Sequence, residues 1–365
     1  MSNGVALQAC SPMQSGLPDE RNIVASWPDG VDVPVVSVLC HTFNQADFLH
    51  AALSGILKQK TDFPFEVILR DDASEDGSRD IVLDYARRYP RIIRPVIEEE
   101  NQFRLGVKPI SATFSLASGE FLAFCEGDDY WLHDDKLQIQ VDFMKARPDC
   151  GLVHGNFLHL FDIDGVWKTR VALRSRRQLR HRCGSIYAAM LQANRIQTCT
   201  VLCRRRLVSE YRRSGLGVDG YAVGDWPLSL YISHESQVGY INRPIAAYRR
   251  VPGSITNSGH AAAVERAFDA VRMTDDFCDF FRDEAGVRWA GLLSQYRGLL
   301  WLTYRAGDIG RFEQAWEWLA RYAPRALDGV WARGMNATIR HAFARRQFLG
   351  LVDWCISIKH RCEFS

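Results

Sequence analysis

This chain has no long unbroken apolar run. No stretch approaches the roughly 18 apolar residues a membrane-spanning helix needs, so the expectation is a soluble protein, at most peripheral to a membrane. Its start has no basic segment followed by an apolar one, which argues against a secretory signal, and residues 1–32 read as a poorly ordered leader. The ten cysteines form no CxxC pair and no metal-finger spacing. Several lie in apolar runs, where a thiol acts as a small hydrophobe; a reducing, cytoplasmic compartment without a disulfide framework is expected. An excess of one charge is also missing. Lys and Arg total 45 against 43 Asp and Glu, a net charge of +2 that says little about partners.

What remains is an ordinary globular composition, 47% hydrophobic and 24% charged over 365 residues. That length holds one large domain with additions, or two domains. From Pro34 the chain alternates regularly. Pro34 to Cys40 is an apolar strand, and Ala46 to Lys60 has helical spacing through Leu49, Leu53, Ile56 and Leu57. Phe65 to Arg70 is a second strand, followed by the acidic turn Asp71-Asp72 and a helix from Ser78 to Tyr89. A third strand is expected near 94–98, a helix over 106–118, and a fourth strand over Phe121 to Cys125. This cadence predicts βαβ units in an α/β fold with a mixed, mainly parallel sheet flanked by helices. In such sheets ligands sit beyond the carboxyl ends of the strands, where both acidic turns fall.

The second acidic turn, Glu126-Gly127-Asp128-Asp129, carries three carboxylates within four residues. Crowded carboxylates are costly unless a cation or hydrogen-bond donors neutralise them. Hard oxygen ligands on an open turn suit Mg²⁺ or Mn²⁺ carried in with a phosphorylated substrate. A solvated acidic turn is the alternative on these residues alone.

The ordered set Val36-Ser-Val-Leu-Cys-His-Thr-Phe-Asn44, then Gln59 through Asp71-Asp72-Ala-Ser-Glu-Asp-Gly-Ser78, then Cys125-Glu-Gly-Asp-Asp-Tyr-Trp131 resembles the inverting family 2 glycosyltransferases. Their fold is GT-A, and the nearest likeness is to the bacterial branch of polysaccharide and O-antigen (lipopolysaccharide) assembly. The resemblance covers about residues 34–256 and implies a GT-A domain over 33–258. It implies that Thr42 and Asp72 contact the nucleotide base and ribose. Glu126-Gly127-Asp128 matches the DxD motif with Glu at its first position. Asp128 would then hold the metal against the diphosphate, and Glu126 would lie near the ribose or a metal-bound water. Asp129 would support the site from behind or cap the segment starting at His133. An Asp or Glu general base is also implied, and Asp225 in Gly224-Asp225-Trp226-Pro227 fits; by itself Asp225 could equally cap a helix.

One departure concerns Tyr248-Arg249-Arg250-Val251, where Val251 stands in place of a His found in relatives. Arg249 or Arg250 is expected to supply positive charge to the diphosphate instead, which puts the strength of metal dependence in question. Asn194 to Thr200 is expected near the acceptor. The basic run Lys168 to Arg182 reads first as a solvated loop, second as a surface for an anionic lipid-linked acceptor. Nucleic acid is disfavoured, with no aromatic interleaving.

Beyond about His260 the pattern turns helical, and residues 259–365 are expected as a helical C-terminal region. Its tryptophans read as bundle core; the sharper alternative is a peripheral membrane or homo-oligomer surface, with Arg340, Arg345, Arg346, Lys359 and Arg361 near Phe343, Phe348 and Trp354. The function implied is transfer of a sugar from a nucleotide-sugar donor to a saccharide or lipid-linked acceptor, inverting and metal-dependent. The competing reading is a non-catalytic nucleotide-sugar scaffold or sensor retaining the fold.

Overall fold

The computed structural model describes residues 16–31, 33–163, 166–171, 182–216, 220–251, 259–339, 341, 348–349 and 352. Two compact units divide the chain. The first comprises Met1–Met190 and Asn194–Pro252, the second Leu191–Ala193 and Gly253–Ser365.

In the first unit the short apolar runs become strands β1 (Val36–Thr42), β2 (Phe65–Asp71), β3 (Ile93–Ile97) and β4 (Phe121–Phe124). The helices between them are α2 (Ala46–Leu57) and α3 (Ser78–Arg88), after a first short helix α1 (Glu20–Val24). Then come α4 (Pro109–Thr113), β5 (Tyr130–Trp131), α5 (Lys136–Ala146), β6 (Cys150–Ile163), β7 (Val166–Val171) and α6 (Tyr187–Gln192). The series closes with β8 (Leu202–Arg204), α7 (Arg205–Arg213), α8 (Asp225–Glu235) and β9 (Gln237–Arg250). All nine strands form one sheet in the order β3-β2-β1-β4-β8-β6-β9-β5, with β7 on β6. Strands β3, β2, β1 and β4 run parallel, as do β6 and β9. Strand β8 runs antiparallel between β4 and β6. Largely apolar β1 and fully apolar β4 are buried along their whole length, as expected of strands covered on both faces.

Several elements differ from the sequence reading. The helix expected over 106–118 is only α4 and a 3₁₀ turn at Phe114–Leu116. Its Ile, Ser and Thr residues are weak helix formers, and Thr113 Oγ1 turns back onto Pro109 O at 3.1 Å. The leader is ordered in its described part. Ile23 is buried, Trp27 packs edge-on against Phe65, and Glu20 accepts the Arg91 and Ile92 amides; residues 1–15 lie outside the described residues. The basic run is not wholly a loop. Lys168 and Arg170 belong to β7, and Arg182 is buried, donating to Arg195 O at 3.1 Å. Its remaining arginines, 174, 176, 177 and 180, lie outside the described residues.

The second unit is helical: α9 (Gly259–Phe281), α10 (Ala285–Ala306), α11 (Ile309–Tyr322) and α12 (Val330–Thr338). Gly307, with φ of 75°, ends α10, and the Asp308 carboxylate caps α11 through Arg311 N. Leu299, Tyr304, Phe312 and Leu319 form its core, with Trp301, Trp316 and Trp318 packed against it. Trp318 stacks on Tyr296 at 4.1 Å, while Trp289 is 47% exposed. Trp354, Phe343 and the basic residues 340, 345, 346, 359 and 361 lie outside the described residues. Among the described residues no helix is long and apolar enough to cross a membrane.

Candidate active site

The carboxyl ends of β1, β2 and β4 meet at one edge of the sheet. Their hydrogen-bond ladder runs on past the strands. Gly127 N donates to His41 O at 2.9 Å, and Asp72 N to Thr42 O at 3.0 Å. Both acidic turns are thereby laced to the end of β1. Further bonds hold the loop after β2 to the start of α2. Asp76 Oδ2 accepts Ala46 N at 2.9 Å, and Ser78 Oγ accepts Gln45 N at 2.9 Å. Asp76 therefore caps α2 from a different loop.

Gly127 sits in a notch that no other residue fits unchanged. A Cβ there would lie 2.6 Å from Gln45 Oε1 and 2.8 Å from Thr42 Oγ1. Both oxygens are buried and, among the described residues, without a hydrogen-bond partner, as is Asp71 Oδ1. Buried polar atoms left unpaired cost about 1–3 kcal/mol each, so orphaned acceptors mark a place where a ligand is expected.

Asp128 lies beside this notch. Burial, then the neighbouring Glu126 charge, raises its pKa to about 6, against opposing contributions that include a hydrogen bond from Gln45. Asp129 is buried deeper and its pKa is pushed well up, first by burial and then by Asp128. Its Oδ1 accepts Arg249 N at 3.0 Å, and helix α5 starts only at Lys136. Asp129 thus braces the end of β9 and caps no helix at His133.

Arg249 closes the site from β9. Its Nη1 donates to Asp128 O at 2.7 Å, and its guanidinium lies over the Tyr130 ring at 4.7 Å and the Phe48 ring at 5.2 Å. Arg250 is exposed and stacks over Phe161 at 5.4 Å. Val251 is half-buried, and residues 252–256 of that tract lie outside the described residues.

Asp72 has a definite structural task. Its Oδ1 accepts Arg70 Nη2 at 2.6 Å and Gln102 N at 2.9 Å, and its Oδ2 accepts Phe103 N at 3.1 Å. The buried Arg70 reaches on to Glu98 at 2.8 Å. Asp72 thereby holds the 101–103 segment at the cleft.

His41 is a site residue the sequence reading missed. Thr113 Oγ1 donates to Pro109 O and so accepts from His41 Nε2 at 2.9 Å. The other ring nitrogen faces Glu126 at 3.4 Å. Its place directly after an apolar strand was the available signal. Gln45 was also missed, because nothing in its local sequence marks a Gln next to Asn44 as inward-facing.

Asp225 opens α8 and is half-buried. Thr198, in the 3₁₀ turn Thr198–Thr200, donates Oγ1 to Asp225 Oδ2 at 2.7 Å. Burial raises the Asp225 pKa, the Thr198 hydrogen bond opposes the rise, and the Glu126 charge adds to it. Asp225 therefore lies within electrostatic reach of the acidic turn. A desolvated carboxylate held in one rotamer is suited to take a proton.

The donor set around Gly127 consists of hard oxygens, which fits Mg²⁺ or Mn²⁺. Among the described residues no group of three or more His, Cys, Asp or Glu forms a closed metal cage. Such a cation would be held by Asp128 and completed by ligands from a substrate and water, as is usual for Mg²⁺ with phosphates.

Comparison with known proteins adds to this geometry. Residues 37–203 match the family model for Glycosyl transferase family 2. An uncharacterized protein of Mycobacterium tuberculosis is 31% identical over 230 residues, 62% of this chain and 61% of that protein. The chain thus matches about three fifths of the length of that relative. The Escherichia coli protein named UDP-Glc:alpha-D-GlcNAc-diphosphoundecaprenol beta-1,3-glucosyltransferase WfgD is 28% identical over 128 residues, 35% of this chain and 47% of that one. The mannosyltransferase PcManGT from Pyrobaculum calidifontis, solved in complex with GDP-Man and Mn²⁺, superposes with a TM-score of 0.51 at 19% identity, covering 87% of this chain and 89% of that one. At that identity the likeness is one of fold.

Proposed function

Because residues 37–203 form a glycosyl transferase family 2 domain, we propose that the chain moves a sugar from a nucleoside-diphosphate donor to a saccharide or lipid-linked acceptor, with inversion, in cell-surface polysaccharide assembly. The observation that carries this reading is the Gly127 notch. It presents two orphaned buried oxygens next to a carboxylate, within electrostatic reach of a second, separately held carboxylate at Asp225.

In this reading Thr42 and Gln45 bind the donor through their unpaired oxygens. Asp72 enters through Oδ2, which among the described residues accepts only the Phe103 amide. Asp128 holds a divalent cation, Mn²⁺ or Mg²⁺, which when bound stabilises negative charge on the departing diphosphate. Glu126, with His41 Nδ1 facing it at 3.4 Å, lies beside it. Arg249 fixes the turn through Asp128 O, and exposed Arg250 offers positive charge to the diphosphate. Asp225 takes the proton of the acceptor hydroxyl as that oxygen attacks the anomeric carbon. One base suffices, since in-line displacement needs no covalent intermediate. The relative named for a diphosphoundecaprenol acceptor supports a lipid-linked acceptor for this chain too. A lipid-linked acceptor would put that action at the cytoplasmic membrane face, and among the described residues no helix is long and apolar enough to cross a membrane.

The test is turnover of UDP-, GDP- and dTDP-sugars with Mn²⁺ on saccharide and lipid-diphosphate acceptors, comparing wild type with Asp225→Asn. Release of a nucleoside diphosphate by wild type alone is expected. Donor binding by both proteins with turnover by neither would favour the scaffold reading, and release of pyrophosphate would indicate a nucleotidyltransferase.

A further inference from the structure

At the opposite end of β4 from the acidic turn lies a cleft of about 310 Å³. Glu120 and Glu126 bound β4 at its two ends, six residues or roughly 20 Å of extended chain apart. The cleft is lined by four arginines, Arg204, Arg205, Arg206 and Arg213, and by two glutamates. Antiparallel pairing of Phe121 with Arg204 puts the end of β8 beside the start of β4, and α7 follows without a break.

The four cations are not alike. Arg204 is structural: it donates to Cys150 O at 2.9 Å and Met144 O at 2.8 Å, and pairs with Glu120 at 3.2 Å. Arg206 pairs with Glu210 at 3.5 Å. Arg205 and Arg213 touch only neutral acceptors, Gly119 O at 2.7 Å and Ser209 Oγ at 2.6 Å. Among the described residues neither has a carboxylate partner. Four guanidiniums against two carboxylates leave two uncompensated positive charges facing one cavity. The crowding is made costlier because Arg204, Arg205 and Arg206 occupy the start of α7, which has no acidic residue in its first turn. Among the described residues the bonds of Arg205 and Arg213 go to neutral oxygens and leave their charges uncompensated. A local rule broken without a structural return is the mark of a binding site.

We propose that this cleft binds a phosphate-type oxyanion, with Arg205 and Arg213 as the recognising pair. Guanidinium forks match phosphate geometry and can each give two parallel hydrogen bonds. The phosphate belongs either to a soluble phosphorylated compound or to a lipid headgroup. The site is separate from the donor cleft, so occupancy does not compete with nucleotide.

The test uses the full chain and two probes. Inorganic pyrophosphate is titrated calorimetrically in metal-free buffer, and phosphatidylglycerol vesicles are co-sedimented against phosphatidylcholine controls. Arg205→Ala/Arg213→Ala is expected to weaken at least one of the two interactions by about tenfold or more. Asp128→Asn leaves that interaction as in wild type. Loss for pyrophosphate identifies a soluble ligand, and loss for vesicles alone identifies a headgroup. The single exposed variant Arg213→Gln guards against misfolding and is expected to change the same probe in the same direction. Both Arg variants retain nucleotide binding. The proposal is overturned if wild type binds neither probe, or if the Arg variants bind both as wild type does.

Discussion

Thr198 Oγ1 donates to Asp225 Oδ2 at 2.7 Å, joining a 3₁₀ turn to the first residue of α8. This bond opposes the upward push of burial on the Asp225 pKa. A base works only when deprotonated, so its activity falls as pH drops through its pKa. Thr198→Val removes the bond, and the acid limb of the kcat/KM profile is expected to move to higher pH. The loss in kcat is expected to be about 10-fold or more, since a hydrogen bond to a charged group is worth about 1.5–3 kcal/mol. Thr198→Ser should restore the profile. An unmoved acid limb in Thr198→Val would remove Asp225 as the titrating base.

Gly127→Ala tests the notch. The added methyl meets Thr42 Oγ1 at 2.8 Å and the stiff Thr42 Cβ at 3.0 Å. Overpacking costs about 1–3 kcal/mol, and the ligand space closes. We expect a folded protein, lower in melting temperature, whose affinity for nucleotide sugar with Mn²⁺ falls at least about tenfold. Donor affinity equal to wild type, measured by calorimetry, would contradict this assignment of the notch.

Arg249→Lys keeps the charge but loses the planar fork that reaches Asp128 O between the Phe48 and Tyr130 rings. Loss of one hydrogen bond and two ring contacts is expected to cost about 2–3 kcal/mol. Urea denaturation measures it. A Lys variant as stable as wild type would show that charge, and not the fork, is what this position needs.

Lys136 offers a pH test away from the acidic turn. It is fully buried, its Nζ donating to Gln140 Oε1 at 2.7 Å and lying 4.0 Å over the Trp131 ring. Burial lowers its pKa from 10.5 to about 7. The unfolded chain therefore binds a proton between pH 7 and 10.5 that the folded chain does not, so stability from this group rises with pH across that window. Relative to wild type, Lys136→Met is expected to be most favoured below pH 7, with the gap narrowing toward pH 10.5. Equal pH slopes in the two proteins by thermal denaturation would rule this out.

Strands β1, β2 and β4 and helices α2 and α3 were legible in the sequence because each is a short apolar run, or a stripe of helical spacing, bounded by turn residues. The acidic turns were legible for the same reason: they end such runs. Strand β9 was not. Its residues Asn242, Arg243 and Pro244 break the apolar pattern, and its pairing with β6 carries irregularities near Gly155 and Asn156. Long-range partners were equally hidden. Nothing local tells that Asp72 is clamped by Arg70 and the 102–103 amides, or that Asp129 waits for an amide 120 residues away. The positions of candidate residues could be read from the sequence. Their partners could not.

The bond from the Arg249 amide to Asp129 also sets a lower limit on how small an excised catalytic fragment can be. A piece cut after residue 203, where the family match stops, would keep both aspartate turns but cut β8 short of Arg204. It would lack the strand that lies against β5 and β6, leaving the Asp129 carboxyl desolvated without its donor and the Asp128 carbonyl unclamped. An engineer seeking the minimal donor-binding unit must therefore carry the chain through Arg250.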